Sequence, residues 1–228
     1  RDWGLTAEKI AIVGVGNVAL DIARVLAKTA DELKVTEIPD NVYNNLNASA
    51  AKEIHVFGRR GPAQAKFSPL ELKELDHSEN IEVIVDPEDI DYDEASESSR
   101  REAKSVDLVC QTLEGYAMRD PKGAPHKLFI HFFESPVEII GEDGKVTGFV
   151  TERTELDGNG GVTTTGETTT WDVQAVYRAV GYRSDAVNGV PFDELRAVIP
   201  NDEGHVLTEP GGDIVPGLYA TGWIKRGP

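Results

Sequence analysis

At 228 residues, 39% hydrophobic and 28% charged, the chain is long enough to bury one large or two small cores, which excludes collagen-like and wholly disordered classes. With 23 Lys and Arg against 40 Asp and Glu the net charge is −17, so generic attraction to nucleic-acid backbones or anionic lipid is disfavoured and any anion site has to be built locally. The apolar runs fall short of the ~20 residues of a membrane helix. A lone cysteine, Cys110, excludes an internal disulfide and any multi-cysteine metal or iron-sulfur site. With no signal-peptide pattern read, the expected location is a reducing cytoplasm. The first residue is Arg1 and the single methionine is Met118, so a piece of a longer protein is expected.

The run Lys-Ile-Ala-Ile-Val at residues 9–13 predicts a buried strand. It leads into Gly14-Val15-Gly16, after which Val18, Ile22, Val25 and Leu26 recur at helical spacing and predict a helix to about Leu33. Residues 34–52 are polar and Asn-rich, with Pro39 breaking any continuous helix, and read as an insertion before a second strand at 53–57. The stretch is thus one βαβ unit. After the loop Arg59-Arg60-Gly61-Pro62, Ser68 and Pro69 look like an N-cap and first helical residue of a helix to about Leu75, and residues 81–85 predict a third strand. Seven acids between Asp86 and Glu97 suggest a solvated loop, and apolar spacing over 106–113 suggests a helix that buries Cys110.

Beyond Pro125 the pattern turns to strands at 128–133, 137–140, 146–152 and 171–180, with a Gly/Thr-rich loop before the last. These are expected to form an antiparallel meander. The glycine-rich segment 157–161 reads as a flexible loop without chemistry, and a final strand is expected at 217–221. The fold class is therefore α/β, a Rossmann-like parallel sheet with helices on both faces plus an antiparallel β-meander.

Gly14-Val15-Gly16-Asn17-Val18-Ala19 matches G-x-G-x-x-G/A: the first glycine makes the turn, the second admits a pyrophosphate close to the backbone, and the third small residue lets helix and strand pack closely. The pyrophosphate would rest on free N–H groups at the helix start. Where an NAD site offers a carboxylate to the ribose, this sequence offers Arg59 and Arg60, two guanidiniums suited to a 2′-phosphate, so the expected cofactor is NADP. Gly16 and Arg59 lie 43 residues apart, beyond the usual ~20, and the insertion at 34–52 accounts for the excess. His55, His77, His126, His131 and His205 show no metal-ligand spacing, so no metal site is expected.

Several stretches together resemble one family, the glutathione-reductase-like ferredoxin-NADP reductases of the adrenodoxin reductase type. They are Ile12-Val13-Gly14-Val15-Gly16-Asn17-Val18-Ala19-Leu20-Asp21-Ile22-Ala23-Arg24, Val56-Phe57-Gly58-Arg59-Arg60-Gly61-Pro62-Ala63-Gln64-Ala65, Leu70-Glu71-Leu72-Lys73-Glu74-Leu75, Val180-Gly181-Tyr182-Arg183 and Gly222-Trp223-Ile224-Lys225-Arg226-Gly227-Pro228. The resemblance implies that residues 1–228 are the single NADP-binding domain of a flavoprotein with two dinucleotide-binding domains. Residues 1–8 and 222–228 would connect to an FAD domain. Electrons would pass from NADPH through FAD to a ferredoxin (2Fe-2S or another iron-sulfur protein), and these residues alone would be inactive and would expose apolar surface. By position, Asn17, Val18, Ala19 and Leu20 would meet the pyrophosphate region, Arg59 and Arg60 the 2′-phosphate, and Glu71 another part of the nucleotide. Glu74 would be a carboxylate near the nicotinamide and flavin, and Trp223 would lie against FAD. Arg100, Arg101 and Lys104 are the candidate basic patch for ferredoxin. Two alternatives stand: the pyridine-nucleotide domain of another flavoprotein, such as a glutamate synthase small subunit, and a non-catalytic Rossmann-like binding domain.

Overall fold

A computed structural model describes residues 4–227. The chain, expected as one domain, divides into two compact units, Arg1–Ala179 and Val180–Pro228.

In the first unit the elements are β1 (Lys9–Val13), α1 (Asn17–Ala27), α2 (Ala30–Leu33), α3 (Asp40–Asn47), β2 (Glu53–Phe57), α4 (Pro69–Glu74), β3 (Ile81–Val85), α5 (Glu94–Glu102), α6 (Lys104–Met118), β4 (His126–His131), β5 (Glu134–Glu142), β6 (Lys145–Leu156), β7 (Val162–Trp171) and β8 (Ala175–Arg178). A parallel sheet has the order β3-β4-β2-β1-β8, and β5-β6-β7 form a separate antiparallel sheet. Val13 at the end of β1 is level with Phe57 of β2 and with Arg178 of β8, so the turns after these strands emerge on one edge. β1 is where the chain has neighbours on both sides from opposite directions, the place at which open α/β sheets bind ligands.

The parallel strands are apolar on both faces because both are covered. On one face Ile10, Ile12, Ile54, Val56, Leu128 and Ile130 pack against Leu20 and Ala23 of α1, Leu72 of α4 and Leu113 of α6. On the other face Ala11 and Phe57 meet Phe149 of β6 and Val173, and Trp171 of β7 tilts over His131 with ring centroids 4.5 Å apart. Helices were expected on both faces; the second cover is the antiparallel sheet instead, whose strands supply the large side chains that face requires.

Several local expectations are corrected. The helix predicted to Leu33 stops at Ala27: Lys28 turns extended, and Thr29 starts a new turn through a capping box with Glu32, a T-x-x-E signal legible in the sequence. The insertion at 34–52 contains α3, for which Pro39 is the N-cap and not only a breaker. The acidic run is not a loop throughout, since Asp86 caps a 3₁₀ turn at Pro87–Asp89, Asp93 caps α5 by accepting from Ser96 N–H, and Asp89 is buried. Residues 128–131 join the parallel sheet between β2 and β3 and not the meander. The Thr-rich segment is strand β7, exposed along nearly its whole length, so it lacks the alternation that marks a half-buried strand, while the stretch expected at 171–180 is shared between the end of β7 and the parallel β8. Cys110 is buried as expected, and burial pushes its thiol up.

The second unit holds β9 (Asn201–Asp202), β10 (His205–Leu207), β11 (Ile214–Tyr219) and α7 (Trp223–Arg226). Its core is Ile199, Val206 and Ala220, and β11 begins and ends earlier than the strand expected at 217–221. Tyr182, Leu195, Tyr219 and Trp223 leave much apolar surface exposed.

Candidate functional site

Gly14 follows β1 with φ +128°, a conformation L side chains rarely adopt, and a Cβ there would lie 2.2 Å from the Ala179 carbonyl oxygen. Its N–H donates to the Phe57 carbonyl at 2.9 Å, tying the turn to the end of β2. Gly16 is the N-cap of α1, and a Cβ on it would meet nothing nearer than Lys66 Cβ at 4.0 Å. The second glycine therefore answers to no demand of the fold and keeps a face of the turn bare, as close approach of a ligand requires.

The start of α1 has no side-chain cap and no acid in its first turn. Its first backbone bond runs from Leu20 N–H to Gly16 C=O at 3.2 Å, which leaves the N–H groups of Asn17, Val18 and Ala19 without an intrahelical acceptor. In a chain with 40 acids, an uncapped positive helix end is a place for an anion. Ala19 and Leu20 are buried, whereas Val18 is 40% exposed. Ala19 can thus offer a ligand only its N–H, and Leu20, with its N–H used and its side chain in the core, offers nothing and serves as packing. Asn17 Oδ1 accepts from Ser68 N–H at 2.7 Å, coupling the turn to the cap of α4.

Arg59 and Arg60 follow β2 on the same edge. Their backbone is fixed: the Arg59 carbonyl accepts from Thr154 Oγ1 at 2.7 Å and the Arg60 carbonyl from Phe133 N–H at 3.3 Å. Their guanidiniums have no hydrogen-bond or ion-pair partner among the described residues, while Arg24, Arg100, Arg101, Arg119 and Arg153 are all engaged by carboxylates. Two cations, unpaired among the described residues, thus stand on a fixed loop beside a bare glycine turn, a candidate two-part anion site.

Mycobacterium tuberculosis FprA, an NADPH-ferredoxin reductase, is 38% identical over 98% of this chain and 48% of its own length. The mitochondrial NADPH:adrenodoxin oxidoreductase of Arabidopsis thaliana is 33% identical over 98% of this chain and 49% of its own. The chain is homologous to part of the NADPH-ferredoxin reductases. It spans about half the length of the curated relatives it matches. The solved structure of M. tuberculosis FprA in complex with NADPH shares the fold, with a TM-score of 0.86 at 37% identity over 98% of this chain and 48% of that one. No protein-family model matches.

Among the other expected site residues, Glu71 sits in the first turn of α4, half-buried, its backbone N–H held by Ser68 Oγ at 3.4 Å. Glu74 is not a lone helix acid: Arg24 of α1 donates to it and also to Asp21 at 2.6 Å, so it ties α4 to α1. Trp223 belongs to the second unit, where it is 61% exposed and meets Tyr182 edge-on, ring centroids 5.3 Å apart. Of the candidate basic patch, Arg100 lies over the Tyr92 ring and bridges Asp107 and Glu114 at 3.0 and 2.9 Å, so its charge is engaged within the fold, whereas Arg101, paired with Glu94 in the open, and Lys104 are exposed.

Three contributors escaped the sequence. Gly58 is required because a Cβ would lie 2.6 Å from Val15 Cγ1 of the glycine turn, a glycine ending a strand being its only signal. Lys66 N–H donates to the Val15 carbonyl at 2.7 Å, which runs a cationic residue alongside Gly16. Thr154 is distant in sequence and left no signal. Among the described residues no group of three or more His, Cys, Asp or Glu could hold a metal, and no helix is long and apolar enough to cross a membrane.

Proposed function

We propose that this chain holds NADPH at the edge formed by the ends of β1 and β2, as the pyridine-nucleotide part of a flavin-dependent ferredoxin reductase. The observation that carries the reading is the pair of unpaired guanidiniums, Arg59 and Arg60, on a fixed loop next to an uncapped helix start. Gly14 and Gly16 admit the pyrophosphate and the N–H groups of Asn17, Val18 and Ala19 bind it. Arg59 and Arg60 bind the 2′-phosphate by charge-assisted hydrogen bonds. Glu71, whose carboxylate has no partner among the described residues, is left to the nucleotide. These contacts anchor the adenine half and leave the nicotinamide to be oriented by what lies beyond it, so this chain contributes positioning. NADPH would supply hydride chemistry and FAD would accept it; Trp223, exposed in this chain, is the residue that the resemblance implies would lie against the flavin.

The names of the relatives support a ferredoxin-type iron-sulfur protein as electron acceptor, in preference to a glutamate synthase role. Arg100 is engaged by Asp107 and Glu114, which leaves Arg101 and Lys104 as the exposed cations of the patch proposed to face such a partner. A cytoplasmic location suits the lone, buried Cys110.

Calorimetric titration with NADP⁺ and NAD⁺ tests the site. Two charge-assisted contacts at about 1.5–3 kcal/mol each predict at least a tenfold preference for NADP⁺, weakened by salt and lost in Arg59→Ala/Arg60→Ala. Equal affinity for the two nucleotides in the unaltered protein overturns the reading. Reduction of a 2Fe-2S ferredoxin by NADPH with the full-length reductase tests the acceptor.

A further inference from the structure

The loop that carries Arg59 and Arg60 is fixed by a corner of chain far away in sequence, and that corner is strained. Phe133, between β4 and β5, has φ +58°, a left-handed conformation that an aromatic residue rarely takes and that costs on the order of 1–3 kcal/mol. It is over-determined on every side. Its N–H reaches the Arg60 carbonyl at 3.3 Å, its own carbonyl accepts from Thr154 N–H at 2.8 Å, and the next residue, Glu134, donates from N–H to the Gly58 carbonyl at 3.0 Å. Its ring lies where a Cβ on Gly61 would approach within 2.7 Å.

The opposing strand is deformed to match. β6 buries Phe149 and Thr151 in alternation, which would put Arg153 inward and Thr154 outward. At the register shift against β7, where three β7 residues oppose the single Arg153, that alternation breaks, and Thr154, 3% exposed, turns its hydroxyl onto the Arg59 carbonyl. Arg153, at the shift, donates to Asp89 at 2.6 Å, to the Phe132 carbonyl at 3.1 Å and to Glu134 at 3.5 Å, while the second Asp89 oxygen accepts from Phe132 N–H at 2.8 Å. Glu134 Oε2 is left buried without a partner. A strained residue, a bulge and an ion cluster with an orphaned oxygen converge on two carbonyls, those of the two unpaired arginines.

We infer that Thr154 is a positioning residue for nucleotide selectivity: held by the bulge and by the Asp89–Arg153–Glu134 cluster, it fixes the backbone of Arg59 so that both guanidiniums are pre-set for a 2′-phosphate. The inference rests on the NADP reading of Arg59 and Arg60. Fixing the loop in advance removes an ordering cost that a mobile arginine pair would bear on binding, and it acts only on ligands that carry the 2′-phosphate.

The test is calorimetric titration of the purified protein and its Thr154 variants with NADP⁺ and NAD⁺, with thermal melting alongside. Thr154→Val keeps the shape and removes the donor; loss of one such hydrogen bond predicts NADP⁺ binding weaker by roughly three- to tenfold with NAD⁺ binding unchanged. Thr154→Ser, which keeps the hydroxyl, restores NADP⁺ affinity, and Thr154→Ala serves in place of the valine variant should that one not fold. A merely structural threonine would lower both affinities by one factor, or the melting temperature alone, and either result overturns the inference, as does failure of the serine variant to restore binding. An unaltered protein that does not prefer NADP⁺ overturns the reading of the arginines and this inference with it. Selectivity present in the unaltered protein and intact in Thr154→Val overturns the positioning role alone.

Discussion

The two faces of the parallel sheet are held by different chemistry. Against α1, α4 and α6 the contacts are aliphatic and extensive, with Ile10, Ile12, Ile54, Val56, Leu128 and Ile130 under Leu20, Leu72 and Leu113. Against the antiparallel sheet the contact is narrow and built of rings: Phe57, Phe149 and Trp171 beside a stack of His55, Phe129 and His131. His55 Nδ1 and His131 Nε2 are 3.0 Å apart. An aliphatic layer owes its stability to area alone and is indifferent to pH, whereas a layer containing two imidazoles depends on their remaining neutral. The antiparallel sheet also supplies Thr154, so conditions that loosen the ring face reach the arginine loop before they reach the glycine turn.

The largest expected effect separates the faces by size. Phe149→Ala removes the ring that meets Phe57 at 5.1 Å and leaves a void in the smaller core, which predicts a loss of roughly 3–5 kcal/mol in denaturant unfolding. The loss is the same at pH 8 and pH 6.5. A loss under about 1 kcal/mol would show that the antiparallel sheet is held elsewhere, and would break the comparison.

Acid comes next. Burial lowers His55 to about 4, against a smaller raising effect of Glu53, and burial lowers His131 to about 3, with His55 and Arg153 adding to it. Unfolded histidine titrates near 6.5, so below that pH the unfolded chain binds more protons than the folded one. The stability these groups contribute is full above about pH 6.5 and is lost as pH falls toward 4, by on the order of 3 kcal/mol for His55 alone. Two neutral rings share one N–H across 3.0 Å; two protonated rings repel. Unfolding free energy measured from pH 8 to pH 4 should therefore decline in that window, and less steeply in His131→Phe. An unaltered slope in the variant would remove the pair from the account.

The legibility of the molecule follows the same division. The placement of Gly14, Gly16, Arg59 and Arg60 on one edge was readable because a tight turn after a strand needs glycine and the arginines directly follow the next strand. The strands with continuous apolar runs were readable for the same kind of reason. β7 was not, because its threonines, exposed on both sides of the strand, carry no period, and β4 was assigned to the wrong sheet because an apolar run does not say which neighbours it has. The acids of the 86–97 run look solvated one by one; that Asp89 is buried depends on Arg153, 64 residues away. Thr154 and Phe133 act through backbone carbonyls, which any residue offers, so their role leaves no mark in composition.

The smallest effect bears on the residue that the resemblance places nearest the chemistry. Glu74 receives Arg24, which also holds Asp21, and the partners are 37% and 26% exposed. An ion pair this open to solvent contributes at most about 1 kcal/mol, screened by salt, so Glu74→Gln should move the unfolding free energy only slightly and less still at high salt. The substitution keeps a carbonyl oxygen for Arg24 and removes the charge, so a role confined to joining α4 to α1 leaves turnover with NADPH nearly intact in the whole reductase. A carboxylate that acts at the nicotinamide predicts the reverse: kcat falls well beyond what the stability change explains, with NADP⁺ affinity, proposed above to be set at Arg59 and Arg60, unchanged. The two outcomes separate an acid that braces the helical face from one that serves the reaction, and the ratio of the kinetic loss to the stability loss is the quantity that tells them apart.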